Sequence, residues 1–201
     1  MKKRLLDVAF VMVSLGMLAG CAGVRTDVLA SHMNGDWQGE HSFTIVRSPV
    51  QEANADQARY EDLVRVELNR YGFVDQAAGH ARYVLSIAYD TRPASVAVDT
   101  GDCKELACQS GSGTGFVWFG RAWQHSLTLR FFDPAGGDEV YKVSASSRDR
   151  DADTQHAVPY LVKSALAQLP FAQYQHWRVQ LQPAAVHGDA PQLMSVQPVG
   201  R

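Results

Sequence analysis

Histidine is the residue type in this chain that could most readily act as a general base or a metal ligand. The seven histidines are scattered along the chain: His32, His41, His80, His125, His156, His176 and His187. No two have the His-x-x-x-His spacing that places two metal ligands on one face of a helix. His125 falls on the apolar face of a predicted strand, so we expect a buried, hydrogen-bonded imidazole there. We therefore predict no catalytic residue and no metal site. An envelope hydrolase, a weaker alternative, would need a histidine and an aspartate that only the fold brings together.

A run of alternating aspartates is the second candidate for metal binding. Asp149, Asp151 and Asp153 match the first carboxylate positions of a calcium-binding loop. Such a loop has glycine at its sixth position and glutamate at its twelfth, whereas this chain has Thr154 and Tyr160. Carboxylates before a helix also stabilise its N-terminus, by ~0.3–1 kcal/mol. We therefore predict that these aspartates serve the start of a helix.

The glycine-rich run Gly-Ser-Gly-Thr-Gly at residues 111–115 could cradle a phosphate group. It lacks the Gly-Lys-Ser/Thr ending of a P-loop, and a strand pattern follows it where a phosphate site would have a helix. Its serine also lacks the Gly-x-Ser-x-Gly surroundings of a hydrolase nucleophile. We interpret the run as a flexible loop and predict no cofactor.

Aromatic side chains follow this loop, and they are the best candidates for a binding surface. The residues are Phe116, Trp118, Phe119 and Trp123. If exposed, they would form an apolar lip for a partner or a small ligand. Apolar residues that lead into a strand more often belong to the core, so both interpretations stay open.

The N-terminal segment has the composition of a bacterial export signal. It starts with the basic sequence Met-Lys-Lys-Arg, and residues 8–18 are almost wholly apolar. This apolar run is too short to cross a bilayer core of ~30 Å as a helix. We therefore predict that residues 1–20 are a cleaved signal peptide.

The signal ends in Leu-Ala-Gly-Cys at residues 18–21, which resembles the lipobox of bacterial lipoproteins. The resemblance implies that the thiol of Cys21 becomes a thioether to diacylglycerol and that the mature protein carries acyl chains such as palmitate. Two or more acyl chains make a stable membrane anchor. Ala22 stands where an aspartate favours inner-membrane retention, which implies the periplasmic face of the outer membrane.

The other two cysteines, Cys103 and Cys108, lie in the glycine-rich loop. Export makes a disulfide between them the favoured interpretation, and closing so small a loop would stabilise the fold by roughly 2 kcal/mol. A zinc site would need two further ligands, and the redox motif is Cys-x-x-Cys, so both are minor alternatives.

The rest of the chain divides into segments of alternating or helical periodicity. We predict strands near residues 43–46, 83–89, 123–131, 141–145 and 177–181, and helices over residues 54–71 and 158–169. Asn54 resembles a helix cap, and Gly72 marks a helix end. Residues 133–138, Asp-Pro-Ala-Gly-Gly-Asp, predict a hairpin turn.

These elements predict one α+β domain over residues 36–182. It follows a small polar tether at residues 21–35 and precedes a disordered tail at residues 183–201. We expect two layers in the order β-α-β-β-β-α-(β), with four or five mainly antiparallel strands and two helices packed on one face. The formal net charge is −2, and no basic cluster in the sequence points to nucleic acid.

Several short segments together resemble the bacterial lipoproteins of domain of unknown function 4136. They are the Leu-Ala-Gly-Cys signal ending, the helix end Leu-Asn-Arg-Tyr-Gly-Phe at residues 68–73, the strand at residues 81–87, and residues 127–133 leading into Val140 and Tyr141. The similarity spans residues 37–171 and implies a two-layer fold. That family has no established catalytic residues, so the resemblance implies none here.

The sequence therefore favours a lipid-anchored, non-enzymatic envelope lipoprotein. It would bind a protein partner or a cell-wall component such as peptidoglycan in envelope assembly or maintenance. The alternative is a periplasmic small-ligand binding domain, with its pocket near the aromatic residues.

Overall fold

A computed structural model describes residues 23–32, 40–94, 122–172, 176–184 and 190–200. Their elements are β1 (Val24–His32), β2 (Ser42–Val46), α1 (Pro49–Glu52), α2 (Gln57–Arg70), β3 (Val74–Asp75), β4 (Tyr83–Pro93), β5 (Trp123–Phe132), β6 (Glu139–Asp149), α3 (Thr154–Ala165), β7 (His176–Gln182) and β8 (Gln192–Pro198). The strands form one mixed sheet in the order β3-β2-β4-β5-β6-β1-β7-β8. Strand β2 is parallel to β3 and β4, and the other pairs are antiparallel.

The strongly alternating segments form the strands that the sequence predicts. In β4 and β5, apolar residues such as Leu85 and Leu129 are fully buried, while their neighbours in the chain point to the opposite face. The predicted hairpin joins β5 to β6, with the backbone N–H of Asp133 donating to the carbonyl of Asp138 (2.9 Å) and a positive φ at Gly137 (74°). The predicted strand near residues 177–181 is confirmed as β7.

The two longer helices form as predicted, with corrections at their starts. Asn54 does not cap α2: its side chain accepts a hydrogen bond from the backbone N–H of Asp56 (3.0 Å), and Asp56 is the residue that precedes the helix. Gly72 does end α2, with φ at 78° and its N–H bonded to the carbonyl of Asn69 (3.0 Å). Helix α3 spans Thr154–Ala165, so it starts and ends four residues earlier than predicted, and Pro159 lies in its second turn.

Helices α2 and α3 contribute their apolar stripes to one core with the inner face of the sheet. The buried strand residues of this core include Val28, Ala30, Leu85, Ile87, Leu127, Leu129, Phe131, Tyr141, Val143, Ala145, Val179 and Leu181. The opposite, outer face of the central strands carries small polar side chains, among them Thr128 and Ser144, whose hydroxyls lie 2.9 Å apart. The strands are therefore amphipathic across the sheet, as in a two-layer domain.

The predicted strand and helix count is wrong. The described residues hold a mixed sheet of eight strands with three helices, in place of four or five mainly antiparallel strands with two helices. Residues 24–32, which we assigned to a tether, form β1, and residues 192–198, which we assigned to a disordered tail, form β8. The remaining additions are the two-residue strand β3 and the four-residue helix α1.

The missed strands bury few large apolar side chains because of where they lie in the sheet. Strand β1 pairs with β6 on one side and β7 on the other, yet two of its buried side chains are the small Thr26 and Ala30. Strand β8 pairs with β7 at the sheet edge, and Val196 is its apolar residue packed on the core. A weakly apolar alternation is thus enough for a strand whose neighbours supply the core.

Candidate functional site

A cleft opens where β1 and β6 separate at one end of the sheet. Pairing between these strands stops at Asp27 and Ser146, whereas β1 remains paired with β7 as far as Val24. The cleft has a volume of about 660 Å³, and its lining residues are Gly23, Val24, Arg25, Ser147, Arg148, Asp149, His156, Ala157, Tyr160 and Gln180. This volume lies within the ~300–1,000 Å³ typical of ligand sites.

Two arginines provide the positive charge of the cleft. Arg25 comes from the start of β1 and Arg148 from the end of β6, and both side chains are exposed. Within the described part of the chain, neither guanidinium has an ion pair or a side-chain hydrogen bond. Guanidinium groups bind carboxylates and phosphates through paired N–H donors. The cleft can therefore accept an anionic group.

The start of α3 forms a second wall of the cleft. The rings of His156 and Tyr160 lie 5.9 Å apart, one helical turn from each other. His156 is exposed and Tyr160 is partly buried, so an imidazole and a phenol border the cleft beside the arginines. Both side chains can bond to a polar ligand.

The three alternating aspartates lie in the connection from β6 to α3. The Oδ1 atom of each accepts the backbone N–H two residues later, which for Asp149, Asp151 and Asp153 gives distances of 2.9, 2.8 and 2.9 Å. Asp153 is the N-cap of α3, as predicted from charge at a helix start. Among the described residues, no group of three or more His, Cys, Asp or Glu side chains is placed to hold a metal ion.

His125 lies on β5 opposite Ser147, a residue of the cleft lining, and belongs to a buried hydrogen-bond network. Its side chain is fully buried, and its Nε2 atom lies 2.8 Å from the carbonyl oxygen of Asp151. Because a carbonyl can only accept, Nε2 carries the proton, and Nδ1 accepts from the hydroxyl of Tyr89 (2.8 Å). Burial raises the pKa of Tyr89, which keeps this hydroxyl a donor. The prediction of a hydrogen-bonded core imidazole is confirmed.

The fold does bring a histidine and an aspartate together, His125 and Asp149. The imidazole is fully buried, so it is not placed to act as a base on a substrate in the cleft. The Oδ1 atom of Asp149 lies 3.3 Å from Nε2 of His125 and also accepts the N–H of Asp151. Both imidazole nitrogens therefore have protein partners, and neither is exposed. The network joins β4, β5 and the connection to α3.

A buried ion pair lies near the start of α2. The carboxylate of Glu61 is 1% exposed and binds the guanidinium of Arg47 through two hydrogen bonds of 2.6 and 2.7 Å. Burial alone would raise the pKa of Glu61, but the hydrogen bonds from Arg47 and Gln57 outweigh it, so the pKa lies below its usual 4.5. Because both carboxylate oxygens are occupied, this group holds α2 to the chain after β2 and is not a binding site.

Of the site residues predicted from the sequence, Trp123 alone lies among the described residues. It begins β5, opposite Pro93 and Asp149 in register, and is partly buried at the end of the sheet that holds the cleft. The predicted lipid-bearing Cys21, the predicted Cys103–Cys108 disulfide, and Phe116, Trp118 and Phe119 lie outside the described residues. Those predictions therefore stay predictions.

Three residues of the cleft are not predicted from the sequence: Arg25, Arg148 and Tyr160. These residues lie on three different elements, and no spacing in the sequence connects them. Their common location depends on the register of β1 with β7 and on the point where β6 leaves β1. A correct assignment of β1 as a strand next to β6 would have been needed to find them.

The fold defines an α+β domain with a mixed sheet and a cleft at one sheet end. The family described as "Domain of unknown function (DUF4136)" matches residues 25–171, and the chain belongs to this family. The match begins within β1, so the family domain includes a strand that the sequence pattern predicts as part of a tether. No curated protein matches the chain.

Several solved structures are similar to this chain at low identity. A PelC dodecamer from Paraburkholderia phytofirmans has a TM-score of 0.44 and 16% identity, covering 74% of this chain and 99% of that one. A PDZ domain protein from Parabacteroides distasonis has a TM-score of 0.46 and 12% identity, covering 88% of this chain and 43% of that one. A minor lipoprotein from Acinetobacter baumannii has a TM-score of 0.33 and 16% identity, covering 64% of this chain and 85% of that one.

None of the described helices has both the length and the apolar composition needed to cross a bilayer.

Proposed function

We propose that this protein is a lipid-anchored lipoprotein of the bacterial envelope that binds an envelope component and does not catalyse a reaction. The anchor is supported by the export signal and the Leu-Ala-Gly-Cys ending at residues 18–21. Ala22 after the cysteine favours the periplasmic face of the outer membrane. The role is then in envelope assembly or maintenance.

The cleft between β1 and β6 is the observation that carries the binding function. It has the volume of a ligand site, about 660 Å³, and exposes Arg25 and Arg148 without a described ionic partner. Surface arginines that lack an internal partner are available to a ligand. The sequence favours a protein partner or a cell-wall component, and the two arginines of the cleft support an anionic recognised group.

The same region argues against acid–base catalysis by the histidine and aspartate that the fold brings together. His125 is fully buried, and both its ring nitrogens are bonded within the protein. A general base must come within hydrogen-bond distance of the substrate proton that it removes. Since His125 cannot do this without opening the network, the cleft is better suited to binding.

Photo-crosslinking in intact cells tests this proposal with the full-length protein. A photoreactive amino acid at Tyr160, on the cleft wall, should capture an envelope component. The same amino acid at Val66, which is 52% exposed on α2, is the control and should not capture it. The double variant Arg25→Gln/Arg148→Gln should abolish the adduct at Tyr160. An adduct that is equal at both positions, or that survives the double variant, would contradict binding in the cleft.

A further inference from the structure

Three arginines form a row across the outer face at the cleft end of the sheet. Arg92 on β4 lies opposite Gln124 on β5, which lies opposite Arg148 on β6. Strands β1 and β6 are antiparallel, and Asp27 pairs with Ser146. Two residues further toward the cleft, Arg25 on β1 therefore faces Arg148 on β6 and continues the row. The four strands thus bring together charges that are distant in the sequence.

Three carboxylates lie near this row: Asp27, Asp90 and Asp149. Asp27 is the next outward residue after Arg25, and it lies 3.4 Å from Arg178 and 3.3 Å from His176. Asp149 borders the cleft and is 34% exposed, and its Oδ1 atom accepts the N–H of Asp151, which leaves the carboxylate charge in place. Asp90, the outward residue before Arg92, has no ion pair with a described residue. The acidic connection at residues 149–153 leads to α3, on the helix side of the sheet. On the outer face at this end, the three arginines outnumber Asp27 and Asp90, and Asp27 is paired with Arg178, so the local charge is positive.

The start of β1 places this row close to the predicted anchor. Gly23 lines the cleft and is two residues after Cys21. Consecutive Cα atoms are 3.8 Å apart, so the Cα of Cys21 lies within about 7.6 Å of the Cα of Gly23. A thioether to diacylglycerol would hold the sulfur of Cys21 at the level of the lipid glycerol groups. The cleft then lies at the level of the phospholipid headgroups.

We propose that the cleft between β1 and β6 binds the phosphate of an anionic phospholipid headgroup through Arg25 and Arg148, in the leaflet that carries the anchor. This inference rests on the proposed anchor at Cys21 and names the ligand class of the proposed site. Arg92 adds a third positive charge to the same face. Trp123 and Tyr160 lie at this end of the sheet, and tryptophan and tyrosine favour the membrane interface.

The location of the cleft favours a headgroup over a ligand further from the membrane. A site held within a few ångströms of the headgroup layer encounters lipid phosphates at very high local concentration. Each arginine near an anionic membrane surface strengthens binding by about fivefold. Two arginines therefore predict a preference of at least about tenfold for an anionic over a zwitterionic headgroup.

The experiment uses the full-length, lipidated protein in nanodiscs that contain equal amounts of phosphatidylglycerol and phosphatidylcholine. After extraction into a neutral detergent, native mass spectrometry measures the ratio of the two lipids that remain bound. We expect phosphatidylglycerol to be enriched about tenfold or more, and the variant Arg25→Gln/Arg148→Gln to show no enrichment. Arg130→Gln is the matched control, because Arg130 is exposed on the same face at the opposite end of β5. It should retain the enrichment.

Three outcomes would overturn the headgroup assignment. The first is equal retention of both lipids, and the second is enrichment that the double variant does not change. The third is complete displacement of phosphatidylglycerol by millimolar inorganic phosphate, which would make the ligand a free anion. Because both arginines are exposed, the double variant should melt at the same temperature as the wild type. If the double variant does not fold, the two single variants replace it, and each should lose part of the enrichment.

The same samples distinguish this inference from the proposed anchor. Mass spectrometry of the N-terminal peptide reports whether Cys21 is acylated. An unacylated Cys21 would overturn the anchor itself. An acylated Cys21 without lipid preference would overturn the headgroup site alone.

Discussion

The buried carboxylate of Glu61 gives a residue-scale test of what holds α2 in place. It accepts two hydrogen bonds from Arg47 and a longer one from Arg65 (3.3 Å). The substitution Glu61→Gln removes the charge that these guanidiniums bind. Because Arg47 and Arg65 are 39% and 31% exposed, water replaces part of the lost interaction. We expect a loss of about 1–2 kcal/mol in the free energy of unfolding near pH 7, measured by urea denaturation.

The pH dependence of this effect follows from the direction of the pKa shift. Folding lowers the pKa of Glu61 from 4.5, so its contribution is fully present above pH 4.5 and is lost as the pH falls through the lower, folded-state pKa. The stability difference between wild type and Glu61→Gln should therefore shrink in acid. Asp62→Asn is the control, since Asp62 is 72% exposed and its ion pair with Arg65 should matter little. A constant difference from neutral to acid pH would contradict the assigned shift.

The residues of the candidate site illustrate what a sequence can and cannot predict at this scale. The burial of His125 followed from its location on the apolar face of a strongly alternating strand. The roles of Arg25 and Arg148 did not follow, because a charged residue on a solvated strand face has no distinctive spacing. Only the register between strands brings those two side chains to one cleft.

At the scale of elements, prediction succeeded where large apolar residues alternate. Strands β4, β5 and β6 and helices α2 and α3 have regular patterns of leucine, isoleucine, valine, phenylalanine and tyrosine. Strand β1 alternates too, but through threonine, valine and alanine, next to a segment that looks like an anchor. The apolar alternation of residues 24–32 is weak. Because these residues directly follow the predicted anchor, the sequence favours a tether there. Only long-range pairing with β6 and β7 makes the segment a strand.

A matched pair of substitutions tests whether β1 lies in the middle of the sheet. Val28 is fully buried, and its neighbour Leu29 is 58% exposed on the other face. Val28→Ala would leave a cavity in the core, and we expect a loss of about 1–3 kcal/mol in the free energy of unfolding. Leu29→Ala removes more carbon atoms but should change stability by less than about 0.5 kcal/mol. A flexible tether would give two small effects of equal size in chemical denaturation.

At the scale of the whole molecule, the fold concentrates positive charge at one end of the sheet, although the composition gives a negative net charge. The formal net charge is −2, and the sequence has no basic cluster beyond Lys2, Lys3 and Arg4. Antiparallel pairing nevertheless collects Arg25, Arg92 and Arg148 at the end of the sheet where β1 begins. Orientation at a membrane depends on such local fields, because screening limits their reach to about 8 Å at physiological ionic strength.

The strand directions also determine which end of the domain would face the membrane. The hairpin between β5 and β6 lies at the end opposite the start of β1, since His32 pairs with Tyr141 and Asp27 with Ser146. Strand β6 has 11 residues, which at ~3.4 Å per residue separates the two ends by about 34 Å. An anchor at Cys21 therefore predicts that the hairpin points into the periplasm.

Energy transfer to a membrane dye tests this orientation in the lipidated protein. A fluorophore carried by an unnatural amino acid at Arg150, at the cleft end, should transfer energy efficiently to an acceptor on the lipid headgroups. The same fluorophore at Ala135 in the hairpin should transfer energy weakly, because it would be about 34 Å further from the acceptors. Both positions are exposed, so labelling should not disturb the core. Cys21→Ser should abolish transfer from Arg150 by releasing the protein. Stronger transfer from Ala135 than from Arg150 would show that the opposite end of the sheet faces the membrane and would remove the geometric basis of the headgroup site.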